Sequence, residues 1–137
     1  MDANAKKVEA IIEKSTDGGY GIYIPEIQGI GVIGDTEEKA KMNLLEVISD
    51  IADQCKIDGV KDQVNGGNLD ISYRYDPSAF FKTFNIFNVS SLAKSLGIDS
   101  SLMRQYKTGK TYISEDRKKQ IEAGIHQIAN ELLHVRF

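Results

Sequence analysis

The chain has almost nothing with which to crosslink itself or to hold a soft metal, with one cysteine, Cys55, in 137 residues. A single thiol excludes an internal disulfide and any zinc site built from several cysteines. Histidine is nearly as scarce. The two present, His126 and His134, have no cysteine or acidic cluster at ligand spacing. Long hydrophobic runs are missing too, since no apolar stretch approaches the roughly 20 residues that span a bilayer. The opening Met1-Asp2-Ala3-Asn4 is no signal peptide. Neither a Gly-rich phosphate loop nor a nucleophile elbow occurs. These absences predict a cytoplasmic protein that keeps off the membrane, with no catalytic residue, cofactor or metal.

What remains is ordinary globular material, 41% hydrophobic and 27% charged, enough for one core or two small ones joined by a linker. Its charge is unevenly placed. Up to Asp76 there are eight Lys and Arg against fifteen Asp and Glu, a net of -7. From Pro77 onward nine basic residues face five acidic ones, a net of +4. An acidic half joined to a basic half points to one basic partner and one polyanionic partner.

The first half reads β-β-β-α-β. Val8, Ala10 and Ile12 alternate with more polar neighbours from Lys7 to Glu13, the period of a strand. Asp17-Gly18-Gly19 is turn chemistry, which predicts a hairpin to a second strand carrying Tyr20, Ile22 and Ile24 and ending at Pro25. A third strand is expected from Ile30 to Ile33, closing at Gly34. Asp35-Thr36-Glu37-Glu38 is a capped helix start. Leu44, Ile48, Ile51 and Cys55 then make one apolar stripe, in which Cys55 is a small core residue. Lys56 to Asn68 reads as a polar loop. The last strand is expected to turn Leu69, Ile71, Tyr73 and Tyr75 inward. Asp76-Pro77 marks the boundary between domains at 1–76 and 77–137.

The second half shows no strand alternation. Phe80, Phe81, Phe84 and Phe87 fit one face of a short helix packed in a core. Helices follow from about Ser90 to Leu96, from about Ser100 to Lys107, and onward from a Ser114 cap. The last carries Ile121, Ile125, Ile128 and Leu132 at coiled-coil spacing, an expected dimer seam.

The most informative stretch runs from Ser91 to Lys110. Leu92, Ala93 and Leu96 form the inner face of one helix, Gly97 supplies a tight turn and Ile98 plugs the corner. Asp99 or Ser100 caps a second helix whose Met103 and Tyr106 point back to the core. This is the grammar of a helix-turn-helix. It pushes Ser100, Ser101, Arg104 and Gln105 outward, residue types that read base edges in the major groove. Lys107, Thr108 and Lys110 come at or past the helix end, where they would meet phosphates.

Leu92-Ala93 through Gly109-Lys110 resembles the helix-turn-helix of phage-repressor-like (XRE-type) regulators. The N-terminal half is similar to the HicB antitoxin domain, a partial RNase H-like fold. The matching residues are Asp17-Gly18-Gly19-Tyr20, Pro25, Gly29, and Gly34-Asp35-Thr36 followed by Glu38, Ala40 and Asn43. The two matches cover nearly the whole chain, in the order of long HicB antitoxins. The resemblance implies an α+β chain in which a partial RNase H-like domain masks a small basic HicA-type ribonuclease. The all-α domain would then dimerise, as a homodimer or higher even oligomer, on the operator DNA of its own operon. The acidic N-terminal half suits such a basic partner.

Two other readings stand beside this one. The chain could be a stand-alone transcriptional regulator whose α/β half senses a small molecule or mediates oligomerisation. It could instead be a degenerate nuclease. Metal-dependent nuclease chemistry needs several carboxylates converging on adjacent strand ends. Here Glu9, Glu13, Asp70 and Asp76 alternate with the apolar face and are expected to point outward.

Overall fold

The structure is a computed structural model that describes residues 3–54 and 58–137. It is mixed α+β, with one four-stranded sheet and six α-helices among the described residues. By its contacts the chain separates into two compact units, Met1–Ala79 and Phe80–Phe137.

In the first unit β1 (Lys6–Lys14), β2 (Tyr20–Tyr23) and β3 (Gly31–Gly34) precede helix α1 (Glu37–Gln54). A short helix α2 (Asp58–Gln63), a 3-10 turn (Asn65–Gly67) and β4 (Leu69–Tyr75) follow. The sheet order is β3-β2-β1-β4, antiparallel throughout except for β1 and β4, which run parallel. A parallel neighbour needs a long crossover, and α1 lies within that connection. At the β1–β2 hairpin the Asp17 carboxylate accepts from the Gly19 amide at 3.0 Å. Thr36 Oγ1 caps α1 by accepting from the Lys39 amide at 3.1 Å.

The period-two pattern of β1 buries Val8, Ala10 and Ile12 against α1. The buried stripe of α1 is Ala40, Leu44, Ile48 and Ala52, four residues apart each time, with Ile51 half-buried at its flank. The expected stripe is thus shifted toward small residues, which let the helix lie close to the sheet. Cys55, its expected last member, falls outside the described residues. Each Leu or Ile taken from water contributes about 1.5–3 kcal/mol before entropy is counted.

Four expectations need correction. The third strand begins at Gly31, and Ile30 is buried just before it, together with Ile24 and Ile27 from the connection between β2 and β3. The described part of the expected polar loop 56–68 holds α2 and the 3-10 turn, and Val64 between them is fully buried. Tyr75, expected inward, is 37% exposed at the end of an edge strand, where its hydroxyl donates to Glu37 Oε1. The phenylalanine-rich helix α3 (Pro77–Thr83) stops before Phe84 and Phe87, which lie beyond it.

The second unit continues from α3 with α4 (Val89–Leu96), α5 (Ser100–Thr108) and α6 (Glu115–Leu132). Its core is Phe81, Leu92, Ala93, Ile98, Met103, Tyr106, Ile113 and Ile121. The Phe80 ring lies 5.2–5.8 Å from those of Phe81, Phe84 and Phe87, contact distances for aromatic pairs. The phenylalanines therefore pack on one another although they do not share a helix. A Cβ on Gly124 would come within 2.0 Å of Leu96 Cδ2, so α6 packs against α4 where the helix carries no side chain.

Gly34 is required by packing. A Cβ on Gly34 would lie 2.5 Å from the Ala40 amide nitrogen and 2.9 Å from its Cα, backbone atoms that cannot rotate away. Gly31, in the same strand, has nothing within 4 Å. Gly34→Ala should lower the urea midpoint by the equivalent of about 1–3 kcal/mol, the usual cost of overpacking. Gly31→Ala should leave it unchanged or raise it. Equal effects at the two positions would refute the close approach of β3 to α1.

Candidate nucleic-acid interface

The two-helix corner of α4 and α5 is fixed by local chemistry. Asn88 caps α4, its side chain accepting from the Ser91 amide at 2.9 Å. The helix ends on Gly97, whose φ of 71° favours a residue without a Cβ. Two donors close the end, Gly97 N–H to Lys94 O and Ile98 N–H to Ala93 O. Asp99 caps α5 by accepting from the Leu102 amide at 3.0 Å. Gly109, at φ 75°, terminates α5 in the same way as Gly97 ends α4.

With Met103 and Tyr106 buried, α5 turns the opposite side to solvent. Ser101, Arg104, Gln105, Lys107, Thr108 and Lys110 are exposed, and Ser100 is half-buried. Arg104 is held in place, with Nη1 donating to Ser90 Oγ at 2.9 Å and Nη2 to Ser101 Oγ at 3.2 Å. A guanidinium carries five N–H groups in a planar fork, so donors remain for an acceptor in front of it. Ser90, on the first turn of α4, was invisible to sequence reasoning as a partner because fourteen residues separate it from Arg104.

Gln105 and Thr108 are differently engaged. The Gln105 side-chain carbonyl accepts from Thr111 Oγ1 at 2.8 Å, and the Thr108 hydroxyl donates to the Gln105 backbone carbonyl at 2.9 Å. The amide NH2 of Gln105 supplies donors only, whereas a bidentate adenine contact requires its carbonyl as well. The expected site residues thus divide into a pinned Arg104–Ser101 pair, a Gln105–Thr108 pair tied to its own loop, and the exposed Lys107 and Lys110. From residue 80 to 114 the only acid is Asp99, against Lys82, Lys94, Arg104, Lys107 and Lys110. The local field favours an anion.

The four residues of the expected dimer seam do not form one exposed stripe. Ile121 is buried, and Ile125 and Ile128 pack against the unit's own core. Leu132 alone is open, 61% exposed, beside the exposed Leu133, Val135 and Phe137. His126 and His134 are exposed, and His134 Nδ1 lies 2.8 Å from the Asn130 carbonyl.

In the first unit the strand carboxylates Glu9 and Asp76 are each engaged by a partner. Glu9 pairs with Arg74 at 3.3 Å, and Asp76 accepts from the Ser78 amide and hydroxyl at the start of α3. Among the described residues no three His, Cys, Asp or Glu are grouped to hold a metal ion. No described helix is long and apolar enough to cross a membrane. The chain matches no family model, no curated protein and no solved structure.

Burial pushes the Glu13 carboxyl above its ordinary range, and the neighbouring Asp76 carboxylate adds to the rise. A raised folded-state pKa means that protonation stabilises the fold at low pH, and that this contribution is lost as pH rises through the folded value. Glu13→Gln should therefore raise Tm at neutral pH, the gain shrinking toward zero as the wild type becomes protonated in acid. A gain that persists unchanged at pH 3 would contradict the assignment.

Proposed function

We propose that the chain is a binding protein with two partners and no catalytic role. Its all-helical unit is read as a helix-turn-helix that recognises operator DNA with α5. Its sheet-bearing unit, read as a partial RNase H-like domain, is taken to hold a small basic ribonuclease of the HicA type. The protein would then neutralise that toxin and repress its own operon, as the resemblance to HicB-type antitoxins implies. The observation that carries the DNA reading is the exposed side of α5, where a guanidinium is fixed by two serines within a corner otherwise nearly free of acid. The charge division, -7 up to Asp76 and +4 beyond it, supports opposite partners for the two units.

On this reading Arg104 donates to a guanine edge, while Lys107 and Lys110 neutralise phosphates. The operator has two half-sites about one helical turn apart, which a two-fold dimer would match. Leu132 and Leu133, with Val135 and Phe137 beyond them, are exposed apolar residues that remain to make that dimer.

Fluorescence titration against the DNA upstream of the chain's own coding sequence, and against a scrambled copy, tests this directly. Arg104→Ala should cost on the order of 1–3 kcal/mol of discrimination between the two. Lys110→Ala should weaken both about equally and reduce the salt slope by roughly 0.9. If wild type binds neither DNA better than the other, the repressor reading fails. Light scattering checks the dimer: Leu132→Glu with Leu133→Glu should give a folded monomer, whereas Ile125→Glu should unfold the second unit. An unchanged mass for the double variant would place the dimer elsewhere.

A further inference from the structure

One face of the sheet is covered by α1; the other carries a groove. In the register of β1, β2 and β3, Glu13 stands opposite Gly21, and Gly21 opposite Ile33. In the next row on the same face Ile11 stands opposite Tyr23, and Tyr23 opposite Gly31. Two of these six positions have no side chain, which leaves a trough of about 490 Å³ between Glu13, Tyr23 and Ile33. Its floor is bare backbone at Gly31 and is crossed by the Glu13 side chain at Gly21. Tyr23 and Ile33 give it apolar walls open to solvent, 38% and 61% exposed, and Glu13, Lys14, Ser15 and Thr16 line it as well.

The Glu13 side chain lies across this floor, since a Cβ on Gly21 would sit 3.4 Å from both its Cγ and its Oε1. Among the described ion pairs none involves Glu13. Its nearest acidic counterpart on the same face of β1, Glu9, is neutralised by Arg74. Lys14 lines the same groove, yet is not paired with Glu13. A carboxylate without a cation, an aromatic face and a channel without side chains suit one occupant, a long, flat cation on an alkyl stem. A guanidinium gives a carboxylate two parallel donors and stacks on an aromatic ring, which an ammonium does less well.

We propose that this groove receives an arginine side chain of a basic protein partner, its guanidinium on Glu13 and its stem between Tyr23 and Ile33 over Gly31. The proposal rests on the reading of the first unit as the protein-binding half, to which the net charge of -7 up to Asp76 is complementary. It goes further than that reading by naming the place and the side chain.

The test is an amide chemical-shift titration of the full chain with the peptide acetyl-Gly-Arg-Gly-amide, and with the same peptide carrying citrulline. The arginine peptide should give saturable shifts at Gly21, Gly31 and Ile33, and the uncharged citrulline peptide should not. Glu13→Gln should weaken the binding roughly threefold or more, the range of a solvent-accessible ion pair. Gly31→Leu should abolish it. That variant keeps the Glu13 charge but fills the trough, at a position where a Cβ meets nothing within 4 Å. Absence of saturable shifts at these residues would overturn the proposal, as would equal shifts with citrulline or binding undiminished in Gly31→Leu. DNA titration of the same sample keeps the two readings apart. Intact DNA binding without groove shifts overturns the groove alone. Groove binding in a chain that binds no DNA upholds the groove and removes the repressor.

Discussion

What α5 presents to solvent depends on the corner at Gly97. The left-handed backbone there turns the chain by an angle that a residue with a Cβ would resist, and the two amides that follow satisfy the last carbonyls of α4. Ile98 is driven inward by the turn, and Asp99 starts the next helix. Once these are set, the helical period leaves no choice about which side of α5 packs. Met103 and Tyr106 enter the core three residues apart, and Ser101, Arg104 and Gln105 are left outside. The Ser90 contact then converts an exposed, flexible arginine into one with a defined direction. Ordering that side chain before any ligand arrives removes part of the entropy that binding would otherwise cost.

The first unit follows a simpler rule, one helix on one face of one sheet. Because α1 is long and its buried stripe is rich in alanine, it lies closely on β3 and β2, and three isoleucines from the β2–β3 connection fill in beside them. The other face of β1 and β2 carries Glu9, Ile11, Glu13 and Tyr23, all but Ile11 exposed. On that face the acids are neither gathered for metal chemistry nor fully paired. The arrangement suits a surface that meets charge of the opposite sign.

Much of this organisation was written in local sequence signals. The turn at Asp17-Gly18-Gly19, the caps at Thr36, Asp99 and Ser114, and the terminating glycines 97 and 109 act over a few residues, so their residue types announce them. The inward set of α4 and α5 was legible for the same reason. Long-range facts were not. That β4 runs parallel to β1, that Val64 and Ile27 are core residues from irregular segments, and that Gly124 admits Leu96 all depend on segments far apart in the chain. The isoleucines of α6 show how a pattern can mislead. Coiled-coil spacing describes an apolar stripe but does not say whether the stripe meets a second copy or its own core, and Ile121, Ile125 and Ile128 meet their own core. Gln105 shows the same limit at the site, since its neighbour Thr111 lies beyond the helix that sequence spacing could describe.

The claim on which the rest turns is that DNA meets the exposed side of α5. Amide chemical-shift mapping of the full chain, with and without the duplex upstream of its own coding sequence, tests it most directly. The account predicts shifts gathered on Ser100 to Lys110 and on the Asn88–Ser90 start of α4, with the strands from Lys6 to Tyr75 unmoved. Shifts concentrated on those strands, with α5 silent, would contradict it.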